Sequence, residues 1–162
     1  PATNRAKTPG APSAIRPYDP LLPWWDARAR ALADFRARKA REPERFFEPD
    51  ERAELERAVT LCAADPARRV TLLVTVARFY EEKDGSLTVL LVPGDPDTAL
   101  RAELPPATRK SLERELRAST AEFVQNFWLL EGRLTRGERG YVVAATRRAD
   151  WSRAGPEVAR TR

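Results

Sequence analysis

The chain has 162 residues, of which 42% are apolar, and its formal net charge is +5. This length and composition fit a single domain with one hydrophobic core. No apolar run is long enough to cross a bilayer and there is no secretory h-region, so we expect no integral membrane role.

Residue types that usually carry catalysis or metal binding are scarce. Histidine is absent and Cys62 is the single cysteine, so a conventional zinc site and a Ser–His or Cys–His pair cannot be built. No glycine-rich phosphate loop or nucleophile motif is present, although a carboxylate site for a hard cation stays open. We therefore expect a protein that is not an enzyme and holds no metal or cofactor. The lone cysteine suits a reducing compartment, either the cytoplasm or an organelle matrix.

The basic charge is concentrated at the two ends of the chain. Residues 1–18 carry three basic side chains and no acid, and residues 147–162 carry five basic and two acidic side chains, which gives each segment +3. Residues 43–146 carry 15 basic and 18 acidic side chains, a net charge of −3. This distribution predicts that the ends, rather than the body, contact a polyanion or an acidic partner.

The proline-rich residues 1–22 predict an extended basic arm. Its acid-free composition is compatible with a removed initiator methionine and equally with the remainder of a cleaved targeting peptide. We assign residues 23–147 to a single α+β domain and residues 148–162 to a basic C-terminal tail.

Pro23 favours the start of a helix that should run to about Glu42. A stripe of small residues predicts a face that approaches another surface closely; its members are Ala29, Ala33, Ala37 and Ala40. The basic side chains of this helix are candidates for phosphate contacts, or form a solvated face; they are Arg28, Arg30, Arg36, Arg38, Lys39 and Arg41.

Trp24 and Trp25 stand next to each other at the start of this helix. Because neighbouring helical side chains point about 100° apart, both cannot enter one core. At least one of them is a candidate for a partner's pocket or for stacking on a nucleobase.

The middle of the chain predicts a second helix and a hairpin. The helix begins near Pro49 and carries Leu55, Val59 and Cys62 on one face. Alternating apolar residues over 68–80 predict a strand, and Asp84–Gly85 predicts a tight turn to a partner strand over 87–92. Residues 93–106 have the composition of a loop.

Two structures are compatible with the region after the helix that begins at Thr108. Apolar residues at helical spacing allow one long helix ending at Gly132, so residues 120–134 can be helix or strand. The alternative is a second hairpin, with strands over 126–134 and 141–147. We favour the hairpin because Tyr141, Val142 and Val143 need a strand partner.

The predicted fold class is α+β: two N-terminal helices, a β-hairpin, a helix and a second hairpin. The strands would form one small antiparallel sheet with the helices on one face.

Two further groups of basic residues are candidates for nucleic-acid contacts. The first lies in a predicted glycine-flanked loop and comprises Arg133, Arg136 and Arg139. The second flanks Trp151, a candidate for stacking or partner binding, and comprises Arg147, Arg148 and Arg153. Basic residues interleaved with an aromatic side chain favour nucleic-acid binding, whereas a solvated surface explains them more simply.

These patterns predict a non-catalytic structural subunit of a large assembly, such as a ribonucleoprotein. It would contact nucleic acid, RNA before DNA, through the basic arms and the arginine-rich helix, and contact protein subunits through its body. The alternative is a protein-only adaptor whose extended arms bind neighbouring subunits.

Overall fold

The structure, a computed structural model, describes residues 22–92, 99–116 and 127–154. Within these ranges the helices are α1 (Leu22–Arg41), α2 (Arg52–Ala64) and α3 (Pro106–Leu116). The strands are β1 (Phe46–Phe47), β2 (Val70–Glu81), β3 (Leu87–Val92), β4 (Leu100–Leu104), β5 (Phe127–Gly137), β6 (Gly140–Ala144) and β7 (Trp151–Arg153). None of these helices is both long and apolar enough to span a membrane.

Five strands close into a barrel in the order β2-β3-β4-β6-β5, with β5 pairing back to β2. All neighbours are antiparallel except β4 and β6, which are parallel. Strand β2 pairs with β5 along its first half and with β3 along its second half, and its register shifts between Val76 and Arg78. Such a bulge bends a strand, which helps one long strand to serve two neighbours. Strands β1 and β7 extend the sheet beside β2 and β5.

Alternate residues of the barrel strands point inward and form the core. Leu72 and Val74 of β2 are buried, for example, whereas Leu73 between them is only partly buried. The rings of Trp128 and Trp151 meet edge to face with their centroids 5.8 Å apart. Helix α2 adds Leu55, Ala58 and Cys62 to the same core. Within the described ranges, the apolar residues of these elements thus form one core cluster.

The predicted open antiparallel sheet with helices on one face is wrong, because the strands close into a barrel and include a parallel pair. The closing element is β4, which lies in a stretch that we predicted to be a loop. Its residues alternate between buried and exposed, and it pairs with β3 on one side and with β6 on the other. Without β4, strand β3 of the first hairpin and strand β6 of the second would not be connected by hydrogen-bonded pairing.

Several predicted elements are confirmed individually. Helices α1 and α2, the hairpin that turns at Asp84–Gly85, the helix α3 and the hairpin of β5 and β6 are all present. Residues 127–134 lie in strand β5, which excludes the long helix through this segment. Residues 117–126 lie outside the described ranges.

Helix α1 packs through Ala31 and Phe35, which are buried, and not through the predicted alanine stripe. The stripe residues Ala29, Ala33, Ala37 and Ala40 are exposed. Phe35 meets Phe46 of β1 edge to face, with ring centroids 5.7 Å apart. An aromatic side chain buries a large apolar area and gains from ring contacts, so the side of the helix that carries Phe35 faces the barrel.

Candidate nucleic-acid interface

The predicted basic residues of α1 divide into side chains with an acidic or aromatic partner and side chains without an ion pair to a described residue. Arg36 forms an ion pair with Glu48, with 3.0 Å between Nη2 and Oε1, and Lys39 contacts Glu54. The Arg38 guanidinium lies 5.2 Å from the centre of the Phe46 ring, a cation–π contact. Three members are exposed and form no ion pair with any residue that the structure describes: Arg28, Arg30 and Arg41.

Arg133 fastens β5 to the C-terminal end of α2. Its guanidinium donates hydrogen bonds to the carbonyl oxygens of Cys62 (2.8 Å), Asp65 (2.9 Å) and Pro66 (2.7 Å). A cation at this end of a helix satisfies carbonyls that lack partners within the helix. Residues 132–137 of the predicted arginine loop belong to strand β5. Arg133 thus has a structural contact instead of a free guanidinium.

The other two arginines of that group differ from each other. Arg136 contacts Glu56, which also accepts a hydrogen bond from the Tyr141 hydroxyl. Burial, followed by the contact with Glu56, raises the pKa of Tyr141. Arg139 is exposed in the turn between β5 and β6. Arg136 is exposed too, so what distinguishes Arg139 is that it forms no ion pair with a described residue.

The segment that we predicted to be the start of a tail is part of the fold, because residues 148–153 form a short turn and strand β7. Asp150 is buried there and accepts hydrogen bonds from Arg69 at 2.7 Å and Arg147 at 3.0 Å. Burial of Asp150 opposes ionisation, but the hydrogen bonds from Arg69 and Arg147 outweigh it and lower the pKa of this carboxyl. Arg148 pairs with Glu115 at 2.7 Å.

The aromatic candidates also occupy different positions. Trp151 is fully buried and donates a hydrogen bond from Nε1 to the carbonyl oxygen of Ala145 at 2.7 Å, so its ring belongs to the core. Trp25 is 53% exposed, and the side chain of Trp24 lies outside the described part of the structure. Arg153 of β7 is partly buried beside this core.

A surface that the sequence patterns did not indicate brings two exposed arginines together. Arg78 of β2 pairs in register with Leu90 of β3, and Leu90 pairs with Arg101 of β4. Phe79, the neighbour of Arg78, packs against the core, so Arg78 points to the outside of the barrel. Neither Arg78 nor Arg101 forms an ion pair with a described residue. We call the outer side of β2, β3 and β4 the barrel face.

The next row of the barrel face carries an aromatic side chain. Tyr80 is 47% exposed and pairs with Thr88, which in turn pairs with Glu103. The face therefore offers two guanidinium groups and a phenol ring beside the partly buried Leu90. Glu103 makes one end of this surface less basic than the other.

The turn that carries Arg139 lies at the edge of the barrel face. The Tyr141 amide donates a hydrogen bond to the carbonyl oxygen of Ala99 at 2.7 Å, next to the start of β4. A Cβ added to Gly137 would lie 3.9 Å from the Arg101 guanidinium. Arg139, one of the arginines predicted from the sequence, thus lies in the same surface region as Arg101.

A groove lies between α1 and the barrel, with a volume of about 460 Å³. Its lining comes from α1, from the β1–α2 loop, from β2 and from the start of β5, and includes Arg28, Leu32, Arg36, Leu73, Thr75 and Phe127. Leu73 and Thr75 of the lining belong to β2, the strand that also carries Arg78 and Tyr80.

Among the described residues, no three cysteine or acidic side chains stand close enough to hold a metal ion. No protein-family model matches the chain, and comparison with curated proteins finds no relative. Any functional assignment therefore depends on the surfaces described above.

Proposed function

We propose that this chain is a non-catalytic, nucleic-acid-binding component of a larger assembly, and that its barrel face contacts a single strand. The observation that carries the proposal is the row in which Arg78, Leu90 and Arg101 pair across three strands, with the exposed Tyr80 in the adjacent row.

The chemistry of these side chains suits a single strand. Guanidinium groups bind phosphates with paired hydrogen bonds, and an exposed aromatic ring stacks on an unpaired base whatever its identity. Neighbouring strands are about 4.8 Å apart, so the backbones of Arg78 and Arg101 are roughly 10 Å apart. Their long side chains can therefore bind phosphates on either side of a base that rests against Leu90 or Tyr80.

The architecture supports the same proposal. A five-stranded barrel in which the first strand pairs with both the second and the fourth, and in which a helix lies between the third and fourth in chain order, resembles an OB-fold. Proteins of that fold use the face of the second and third strands and the flanking turns to bind oligonucleotides. Because a fold does not by itself fix a function, the proposed binding depends on Arg78, Tyr80 and Arg101.

We propose RNA before DNA as the ligand. Sequence-specific recognition of RNA by proteins concentrates on single-stranded loops and ends, which present unstacked bases to aromatic side chains. The basic segments 1–18 and 147–162 would add sequence-independent attraction for phosphates, which acts at a distance and falls with salt.

Binding of a fluorescently labelled 12-nucleotide RNA, followed by anisotropy, tests this proposal. We expect Arg78→Ala with Arg101→Ala, and separately Tyr80→Ala, to weaken binding by about tenfold or more. Arg114→Ala is the matched control, because Arg114 is exposed on α3 and not on the barrel face. The same measurement with DNA of equal sequence compares the two nucleic acids.

Unchanged binding in the barrel-face variants, or an equal loss in Arg114→Ala, would contradict the proposed interface. No binding of either nucleic acid to the unmodified chain would overturn the function itself. The alternative, a protein-only adaptor, would then be the remaining proposal, and a search for its protein partner would follow.

A further inference from the structure

The groove between α1 and the barrel has two chemically different ends. Toward the C-terminal end of α1, Arg36 is paired with Glu48, and Asp50 lies close by, so the acidic side chains outnumber the basic one at this end. At the other end, about 12 Å away along the helix, Arg28 is exposed and forms no ion pair with a described residue. An anionic group is therefore favoured at the Arg28 end.

The floor of the groove is apolar. Leu32 of α1, Leu73 of β2 and Phe127 of β5 contribute apolar side chains to its lining. Trp25 precedes Arg28 by three positions, and side chains with this spacing lie on the same side of a helix. This combination of apolar floor, basic end and nearby indole suits a flat, apolar-faced group that is joined to a phosphate.

The groove continues into the barrel face. Leu73 and Thr75 belong to the outer side of β2, and the same strand reaches Arg78 three residues after Thr75, a distance of about 10 Å. A strand that binds at Arg78 needs only one or two more nucleotides to reach the groove.

We infer that the groove is a second subsite of the same interface. It takes an unpaired base of the bound single strand between Leu32 and Phe127, while Arg28 binds the adjacent phosphate. This inference depends on the proposed function, because it assumes that a single strand binds the barrel face and continues from there into the groove.

The test compares RNA oligonucleotides of five and 12 nucleotides with the full chain. The short oligonucleotide can occupy the barrel face alone, whereas the long one can also reach the groove. We expect Arg28→Glu to leave the affinity for the short oligonucleotide within about twofold and to weaken the long one by about tenfold, because a phosphate contact becomes a repulsion. Arg30→Glu is the control, since Arg30 is exposed on the same helix and does not line the groove.

Each outcome separates the two proposals. If Arg28→Glu and Arg30→Glu change the affinity for the long oligonucleotide equally, the helix acts only through its general charge and the subsite is overturned, while the barrel face stands. If neither oligonucleotide binds the unmodified chain, both proposals are overturned. A 12-nucleotide RNA with a photoreactive base gives an independent measurement: cross-links to Phe127 or Trp25 support the subsite, and cross-links restricted to the barrel face contradict it.

Discussion

At the residue scale, the arginine side chains fall into two groups according to what their guanidinium groups contact. Arg133 satisfies three carbonyl oxygens at the end of α2, and Arg69 and Arg147 hold the buried carboxylate of Asp150. Arg78 and Arg101 instead extend from the barrel face without an ion pair to any described residue. The first group stabilises the fold, and the second is available for a ligand.

Asp150→Asn tests the first group. We expect this change to lower the free energy of unfolding by about 2–4 kcal/mol near pH 7, because it removes a buried charge that two arginines contact. The pKa of Asp150 in the folded protein lies below its ordinary value of 3.8, so the carboxylate contributes stability above that pH. This contribution is lost as the pH falls below about 3.8 and through the lowered pKa.

Denaturant unfolding of both proteins between pH 7 and pH 2.5 measures this effect. The difference between them should be largest near neutral pH and should shrink in acid. Asp34→Asn is the control, because Asp34 is exposed and 4.0 Å from Arg38, and it should change stability by less than about 0.5 kcal/mol. A difference for Asp150→Asn that is independent of pH would show that its charge does not stabilise the fold.

At the scale of elements, strand β4 shows why an open sheet was predicted in place of a barrel. Its five residues lie in a segment rich in proline, glycine and aspartate, so the composition of the whole segment favours a loop. The alternation of Leu100, Ala102 and Leu104 with polar residues is a strand pattern, but it is too short to outweigh those neighbours. The two hairpins, with longer alternating runs and clear turn residues, could be predicted from the sequence.

The contact between β4 and the β5–β6 turn depends on Gly140. Its φ is +97°, and an added Cβ would lie 2.2 Å from the carbonyl oxygen of Ala99. Gly85 has a similar φ of +91°, but an added Cβ there would meet only Pro106 at 3.7 Å. Comparison of the two glycines therefore separates backbone strain from a steric clash.

We expect Gly140→Ala to cost more than Gly85→Ala, by about 2 kcal/mol or more, because both carry the strain of a positive φ and only Gly140 adds the clash. Thermal or denaturant unfolding measures both variants under the same conditions. Equal losses for the two variants would mean that the turn can move away from Ala99 without cost.

At the scale of the whole molecule, barrel closure depends on pairs that are far apart in sequence. Strand β2 pairs with β5 from Val70 with Gly132 to Thr75 with Phe127, and β4 pairs with β6 in parallel. Periodicity within a short window predicts individual strands but carries no information about which distant strands pair. The helices and hairpins were therefore predictable, and their arrangement was not.

The same limit applies to the candidate interface. Sequence patterns favoured arginines that are close together along the chain, such as Arg133, Arg136 and Arg139. Of these, Arg139 forms no ion pair or hydrogen-bonded contact with a described residue, whereas Arg133 binds carbonyl oxygens and Arg136 contacts Glu56. Arg78 and Arg101 are 23 positions apart and become neighbours only through Leu90 of the intervening strand. Their one signal in the sequence is that each occupies an outward position of a strand.

If the barrel face binds phosphates, the salt dependence of RNA binding must depend on Arg78 and Arg101. For a single strand, the logarithm of the binding constant falls with the logarithm of the salt concentration by about 0.7 for each phosphate that is neutralised. Arg78→Ala with Arg101→Ala should therefore reduce this slope by about 1.4 relative to the unmodified chain, and Arg114→Ala should leave it unchanged. A slope that is the same in the double variant and in the unmodified chain would show that the barrel face does not bind phosphates through these arginines.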